Sequence, residues 1–223
     1  MRFSVSPSRR SVKGATINGV TYEGVAKFIY LGTLINNENS LEKEIQRHIL
    51  ASNRTYFASI SLFRSRLLST ASKIVLYKTL IRPVVLYGVE AWTLTKEEQA
   101  LLIFERKIFR RIYGPKYENG EWKSGTNWEL EEMSRGENIV KWIKRQRISW
   151  LGHLERMEED RMVKKIFTQE RERTRQRGRP RKGWKEEVER DLQVLGVRRW
   201  RKLVTNRKKW KDIVQQAKAH GGL

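Results

Sequence analysis

The sequence predicts a mainly α fold with small β hairpins, an α+β chain. Three observations lead there. Apolar residues recur at spacings of three and four along most of the 223 residues, the period of a helix with one buried face. Two Asn-Gly pairs, Asn18-Gly19 and Asn119-Gly120, sit between short β-prone stretches, the strongest short-range hairpin signal. Cysteine is absent while 39% of residues are hydrophobic and 10% aromatic. The chain must therefore fold around an ordinary core rather than a disulfide frame.

Ala15–Tyr22 reads as the first hairpin. Phe28-Ile29-Tyr30-Leu31-Gly32 comes next as another strand or tight hairpin, and Asn36–Ser40 as a polar turn. Leu41–Leu68 reads as helix, with Ile45, Ile49, Tyr56, Ile60 and Phe63 roughly in phase. Ser69–Gly114 is the stretch that organises the chain, two helices in tandem. The first puts Ile74, Tyr77, Leu80, Ile81, Val84 and Val85 on one apolar stripe and leaves Lys73, Lys78 and Arg82 off it. Pro83 interrupts this pattern, so a kink or break is expected there. Thr95, ahead of Glu97 and Glu98, reads as the N-cap of the second helix. That helix turns Leu101, Phe104, Ile108 and Ile112 inward. It sets Arg106 with Arg110, and Lys107 with Arg111, at i,i+4 on its outer face. Like-charged pairs at that spacing disfavour a helix by roughly a few tenths of a kcal/mol each. An anionic partner relieves the repulsion, and a plainly solvated face tolerates it.

Gly114-Pro115 ends this bundle. Tyr117 and Trp122 flank the second Asn-Gly, and Thr126 or Asn127 with Glu129 opens a short helix. After Gly136 a longer helix carries Ile139, Trp142, Ile143, Trp150, Leu154 and Met157 on its apolar side, with Lys141, Lys144, Arg145 and Arg147 as its basic residues. Gly152 within it costs about 1 kcal/mol relative to Ala, so a close packing contact is expected there. Residues 170–183 alternate Arg with other residues and include Gly178, Pro180 and Gly183, the composition of an extended, mobile linker. Trp184, Val188, Leu192 and Leu195 make a short helix. Trp200, Leu203, Val204, Trp210, Ile213, Val214 and Ala217 make a last, basic one. Five regions result: 1–35 β-rich, 36–115 a helical bundle, 116–169 a hairpin with a helical connector, 170–183 the Arg-rich linker and 184–223 a basic helical tail.

The chain holds 47 Lys and Arg against 25 Asp and Glu, a formal charge of +22. Residues 140–223 hold 26 basic and 11 acidic residues, and residues 1–139 hold 21 and 14. A field of that sign attracts polyanions, with nucleic acid the leading partner. No apolar run approaches the roughly 18 residues of a membrane helix, and the Trp residues form no membrane belt, so no membrane partner is expected. The expected phosphate contacts are Lys73, Lys78, Arg82, Arg106, Lys107, Arg110, Arg111, Lys141, Lys144 and Arg145. Arg177-Gly178-Arg179-Pro180, extended by Arg181 and Lys182, joins them. That tetrapeptide resembles the AT-hook core, whose slim backbone lets guanidiniums enter an A·T-rich minor groove. A basic linker gripping phosphates without preference has the same composition.

Catalytic chemistry has little support. His48, His153 and His220 are isolated in sequence, no Ser sits in a Gly-flanked elbow, and neither a P-loop nor a dinucleotide fingerprint is present;. His153 reads as a packed, hydrogen-bonded histidine. Glu129-Glu131-Glu132 and Glu158-Glu159-Asp160 read as helix ends or solvated faces rather than metal sites. No catalytic residue and no metal ligand is assigned. A salt-resistant protein-docking module built on Trp200 and Trp210 is the alternative to nucleic-acid binding, and a non-functional remnant is another.

Several blocks, in order, resemble the C-terminal part of non-LTR (LINE-type) retrotransposon reverse transcriptases. They are Phe28–Gly32, Leu76–Gly88 (LYKTLIRPVVLYG), Ala91–Leu94 (AWTL), Phe104–Pro115 (FERKIFRRIYGP), Arg147–Met157 (RISWLGHLERM) and Gly178–Trp184 (GRPRKGW). The resemblance implies a palm edge, a helical thumb and a basic helical C-terminal region. In that family F-x-Y-L-G is the primer grip, so Phe28, Tyr30, Leu31 and Gly32 would line it, and the helices after it would hold an RNA/DNA or DNA duplex. The family polymerase uses Mg²⁺ on paired Asp residues upstream of the grip. The first Asp here is Asp160, so no cofactor is expected on this chain and no unaided polymerisation. The resemblance also implies an intracellular protein, nuclear by preference, and a truncated retroelement product.

Overall fold

The computed structural model describes residues 14–36, 41–94, 98–136, 138–168 and 183–219. Among them the chain is mainly helical with three separate antiparallel hairpins, as the periodicity predicts. Strands β1 (Ala15–Ile17) and β2 (Val20–Tyr22) pair around Asn18 and Gly19, whose φ values of 51° and 78° are those of a type I′ turn;. Strands β5 (Lys116–Glu118) and β6 (Glu121–Lys123) repeat the device at Asn119 and Gly120. Between them in sequence, β3 (Lys27–Tyr30) and β4 (Thr33–Asn36) pair Tyr30 with Thr33, leaving Leu31 and Gly32 as the turn. Leu31 has φ 46°, a conformation costing an L-residue about 1–2 kcal/mol.

The expected single helix over 41–68 is broken. Helix α1 (Glu42–Ala58) ends at Ser59, α2 (Ile60–Arg64) adds one turn, and Ser65 is extended. Ser69 then caps α3 (Thr70–Leu76), accepting from the Ser72 N–H at 3.1 Å. Serines at 59, 65 and 69 compete locally for backbone bonds and so punctuate the helix. Pro83 acts as expected, by a specific route. A π-helical turn, Tyr77–Ile81, precedes α4 (Arg82–Val85), which carries Pro83 in its first turn. Proline offers no N–H and crowds the carbonyl four residues back. A wider turn relieves that crowding and inserts one extra residue. The insertion rotates the side chains downstream of it. Leu80, expected inward, is 40% exposed, and Arg82, expected outward, is 6% exposed.

Helix α5 (Glu98–Tyr113) buries the predicted Leu101, Phe104, Ile108 and Ile112. Its Thr95 cap lies outside the described residues. Helix α6 (Asn127–Met133) starts with a capping box between Thr126 and Glu129. Helix α7 (Ile139–Glu155) is the longest shared element, and two cores form along it. Its first half, with Ile139 and Ile143, joins the core of α1, the π turn, α4 and α5. Its second half, with Ile148 and Leu151, joins α9 (Trp184–Val194), α10 (Trp200–Leu203) and α11 (Arg207–Ala219). Short α8 (Met162–Thr168) lies between the two stretches of chain. The Arg-rich segment before α9 lies outside the described residues.

Buried polar groups join these parts. Glu105, 3% exposed, accepts from the Tyr77 hydroxyl at 2.8 Å and from the Ile139 N–H at 2.7 Å. It thus caps α7 with a carboxylate and ties it to the π turn. Arg147, one of the basic residues of α7, is 1% exposed and donates to Glu187 at 2.8 Å. Glu187 also accepts from the Leu94 N–H at 3.2 Å. Burial pushes the Glu187 and Asp191 carboxyls above their usual range, although Arg147 lowers both. Gly152 makes the predicted close contact. A Cβ there would meet the Trp210 indole nitrogen at 2.0 Å, and that indole donates to the Ile148 carbonyl at 3.1 Å. Trp200 and Trp210 are 7% and 3% exposed, so both are core and neither offers a docking face.

Gly152→Ala, which in an ordinary helix gains about 1 kcal/mol, is expected here to lower stability by about 1–3 kcal/mol through overpacking against Trp210; urea unfolding monitored by tryptophan fluorescence measures it. Asp191 binds its proton more readily in the native state than in the unfolded chain. Its contribution is therefore largest below the ordinary carboxylate range and declines as pH rises through its raised native value. Asp191→Asn flattens that decline in urea midpoints measured across mildly acidic pH.

Candidate nucleic-acid interface

The hairpin that carries the tip at Leu31-Gly32 is mostly exposed along β3 and half-buried along β4. Polar contacts from the helices hold it. Tyr87 donates its hydroxyl to the Leu31 carbonyl at 2.8 Å, and an Arg47 guanidinium nitrogen donates to the Gly32 carbonyl. The Leu34 N–H donates to Glu44 at 2.9 Å. Glu44, fully buried, also receives Arg47 at 3.0 Å and lies 2.7 Å from the His48 ring nitrogen. The other His48 nitrogen is 3.2 Å from the Val84 carbonyl. Burial alone pushes the Glu44 carboxyl up, but the bonds from Arg47 and Leu34 and the nearby His48 outweigh it, and the group lies below the ordinary carboxylate range. Its stabilising contribution is complete above that range and is lost as pH falls through the depressed value.

This latch sets the hairpin beside a groove of about 840 Å³. Tyr30 and Leu31 form one wall. Lys78 and Arg82, from the π turn and α4, supply cations at the floor, and Trp142 and Arg145 of α7 form the far wall. Two guanidiniums lie over the Trp142 ring, Arg82 at 5.2 Å and Arg145 at 5.9 Å from its centroid. The Nε and Nη2 of Arg82 are buried with no hydrogen-bond partner among the described residues. Buried donors in that state cost free energy. Among the described residues Glu90 is the one carboxylate in the lining.

Of the residues expected from sequence, the groove therefore gathers Tyr30, Leu31, Lys78, Arg82 and Arg145. Gly32 lies just behind it, 3.4 Å from Tyr87 by its virtual Cβ, and Phe28 is half-buried at the edge of Tyr30. The other expected cations separate. Lys141 is 8% exposed because its ammonium turns back to the Gly136 carbonyl at 2.8 Å and to Glu131. Lys144 is shared between Glu98 and Asp191 at 3.9 Å each. Arg110 is committed to the Gly125 carbonyl and Asn127. Arg111 is exposed over the Tyr56 and Phe57 rings. Lys107 is exposed, while Lys73 and Arg106 are half-buried. The outer face expected on α5 is thus not one uniform basic stripe. Arg177, Arg179, Arg181 and Lys182 lie outside the described residues.

His153, expected to be packed and hydrogen-bonded, is exposed, its ring tilted 5.0 Å from that of Trp150; among the described residues the buried histidine is His48. The acidic clusters serve local structure. Glu129 is held down to about 2, first by the Lys116 hydrogen bond and then by the N–H and hydroxyl of Thr126. Glu158 and Glu159 pair with Arg161 and Lys164. Among the described residues no three His, Asp or Glu side chains converge as metal ligands, and no helix is long and apolar enough to cross a membrane. Sequence reasoning missed Arg47, Glu44, His48 and Tyr87, the latch. Its bonds to the hairpin span 10 to 56 residues, and no local pattern announces such pairs.

No family model matches this chain, and no solved structure matches it. The chain is similar to an uncharacterized transposon-derived protein of Caenorhabditis elegans, 24% identical over 211 residues that cover 91% of this chain and 75% of the relative.

Proposed function

We propose that this chain is the C-terminal part of a non-LTR retroelement reverse transcriptase and that it holds a template–primer duplex by its phosphates. The observation that carries the reading is the groove, in which the Phe28–Gly32 hairpin is latched opposite Lys78, Arg82 and Arg145. The ordered blocks of resemblance and the similarity to a transposon-derived protein support it. Cations on three elements meet one backbone, and the exposed tip at Leu31 borders it.

The chain's own part in this is holding. Polymerases of that family work through paired Asp carboxylates with Mg²⁺, and the described residues do not fit such a site. Asp160, Asp191 and Asp212 are the only aspartates, and none lines the groove. Asp191 is engaged in the contact between α7 and α9. No incorporation step is assigned to them. Positioning a duplex needs no sequence reading, because phosphate contacts fix register while base edges specify.

Binding should tighten at low salt, and each neutralised phosphate adds about 0.9 to the log–log salt slope on B-DNA. Changing Lys78 and Arg145 together to Ala is expected to reduce that slope by about 2, read by filter binding across a salt series; an unchanged slope rejects the groove. Tyr87→Phe removes the bond to the Leu31 carbonyl, lowering stability by about 0.5–1.5 kcal/mol. It is expected to weaken duplex binding while circular dichroism stays native, and full retention of affinity would show that the latch does not serve the ligand.

A further inference from the structure

We infer that α10 and the first turns of α11 form a second phosphate-binding shelf, separate from the groove, that takes a nucleic-acid backbone. It extends the reading that this chain holds nucleic acid to a surface of its own. From Arg198 to Asp212 the chain carries eight Lys and Arg and one acidic residue, and all eight cations are exposed. Arg201 pairs with Glu189 at 3.0 Å. No ion pair among the described residues neutralises Arg207, Lys208, Lys209 or Lys211.

The placement of these charges is unfavourable without a ligand. Arg207, Lys208 and Lys209 open α11, at the positive end of its dipole, with no acidic residue in that turn;. Asn206 caps the same end, its side-chain oxygen accepting from the Lys208 and Lys209 N–H groups at 3.0 and 3.1 Å. The end is therefore ordered as well as cationic. Arg156, which donates to the Val204 carbonyl at 2.8 Å, is pushed down first by burial and then by the charge of Arg207. A polyanion relieves all of these repulsions at once.

The apolar face of α11 identifies the class of ligand. Trp210, Ile213 and Ala217 are buried in the second core. A helix that lies on a membrane needs that face free for lipid. The outward remainder is charge, which suits phosphates in water. The shelf also stands apart from the groove. Arg145 and Arg156 are eleven residues apart on α7, about 16 Å of rise and roughly twice the screening length at physiological salt. The two clusters therefore count as separate contacts.

The test uses the full chain carrying Arg207→Ala, Lys208→Ala, Lys209→Ala and Lys211→Ala, a random-sequence DNA duplex, and vesicles containing phosphatidylserine. The salt slope on the duplex is expected to fall by about 2–4. The thermal midpoint should hold or rise, since the clash with the helix dipole is gone. Lys211→Glu alone, an exposed change within the helix, should lower the slope as well and serves if the fourfold variant is unstable. An undiminished slope in both variants overturns the shelf, as does loss of vesicle binding with duplex binding intact. The Lys78 and Arg145 variant separates the two sites: if it alone has no effect while the shelf variants do, the groove reading fails and the shelf stands.

Discussion

Pro83 is the constraint on which the groove depends. A proline at that point cannot continue a regular helix, and the chain answers with a π turn over Tyr77–Ile81. One added residue turns the side chains after it by about 100°. Arg82 is thereby rotated inward over Trp142, and Leu80 outward. The same turn begins at Tyr77, whose hydroxyl reaches Glu105. The second oxygen of Glu105 receives the Ile139 N–H, so one buried carboxylate fixes the distorted turn against the start of α7. Trp142 and Arg145 come within the next two turns of that helix. Floor and far wall of the groove are thus set largely by one irregularity and one acid.

A chain of charge +22 resists compaction by self-repulsion, yet it places Arg147 in its interior. The Arg147–Glu187 pair is weak evidence for stability, because desolvating two charges offsets most of their attraction. Its geometry suggests orientation instead. Glu187 faces Arg147 on α7 and also the Leu94 N–H, and the Trp184 indole donates to the Glu90 carbonyl at 2.7 Å. The tail is thereby docked on both α7 and the segment after the π turn. With Glu187 and Asp191 drawn inward, the acids of α9 neutralise buried cations, and the cations of α10 and α11 are left outside. The partition of charge between interior and shelf stems from one docking contact.

Much of this was legible in the residues. Asn-Gly marks both hairpin turns at 18–19 and 119–120, because only Gly and Asn enter the left-handed region cheaply. The helical stripes of α5 and α7 place Leu101, Phe104, Ile108, Ile112, Ile139 and Ile143 in the core, as period 3.6 requires. Gly152 announced a close approach and Trp210 supplies it. The failures have a common form. Arg82 was placed off the apolar stripe, Lys141 among the phosphate contacts and Arg147 simply among the basic residues of its helix, and each is buried. For Arg82 the π turn altered the phase, and for Lys141 a backbone carbonyl five residues earlier offered an acceptor. For Arg147 an acid forty residues on completed the pair. The last of these lies outside any local window. The latch of Glu44, Arg47 and Tyr87 was invisible for the same reason.

The latch also explains a feature that otherwise only costs free energy. Leu31 occupies a left-handed turn position that Asn or Gly fills in the other two hairpins, and its side chain is 73% exposed. Strain of about 1–2 kcal/mol persists only where the surroundings over-determine it. Here two carbonyls of the turn accept from Tyr87 and Arg47, bonds worth about 1 kcal/mol each, so the strain is roughly offset. The bonds grip the backbone of the tip and leave its side chain free at the groove's edge. Among the described residues no Asn or Gln lines that groove, the side chains that usually read adenine, while Lys78 and Arg145 offer positive charge and no acceptor. A strained apolar tip beside long cationic side chains is suited to abutting a regular backbone. That arrangement suits the hold proposed above, in which the backbone rather than the bases is gripped.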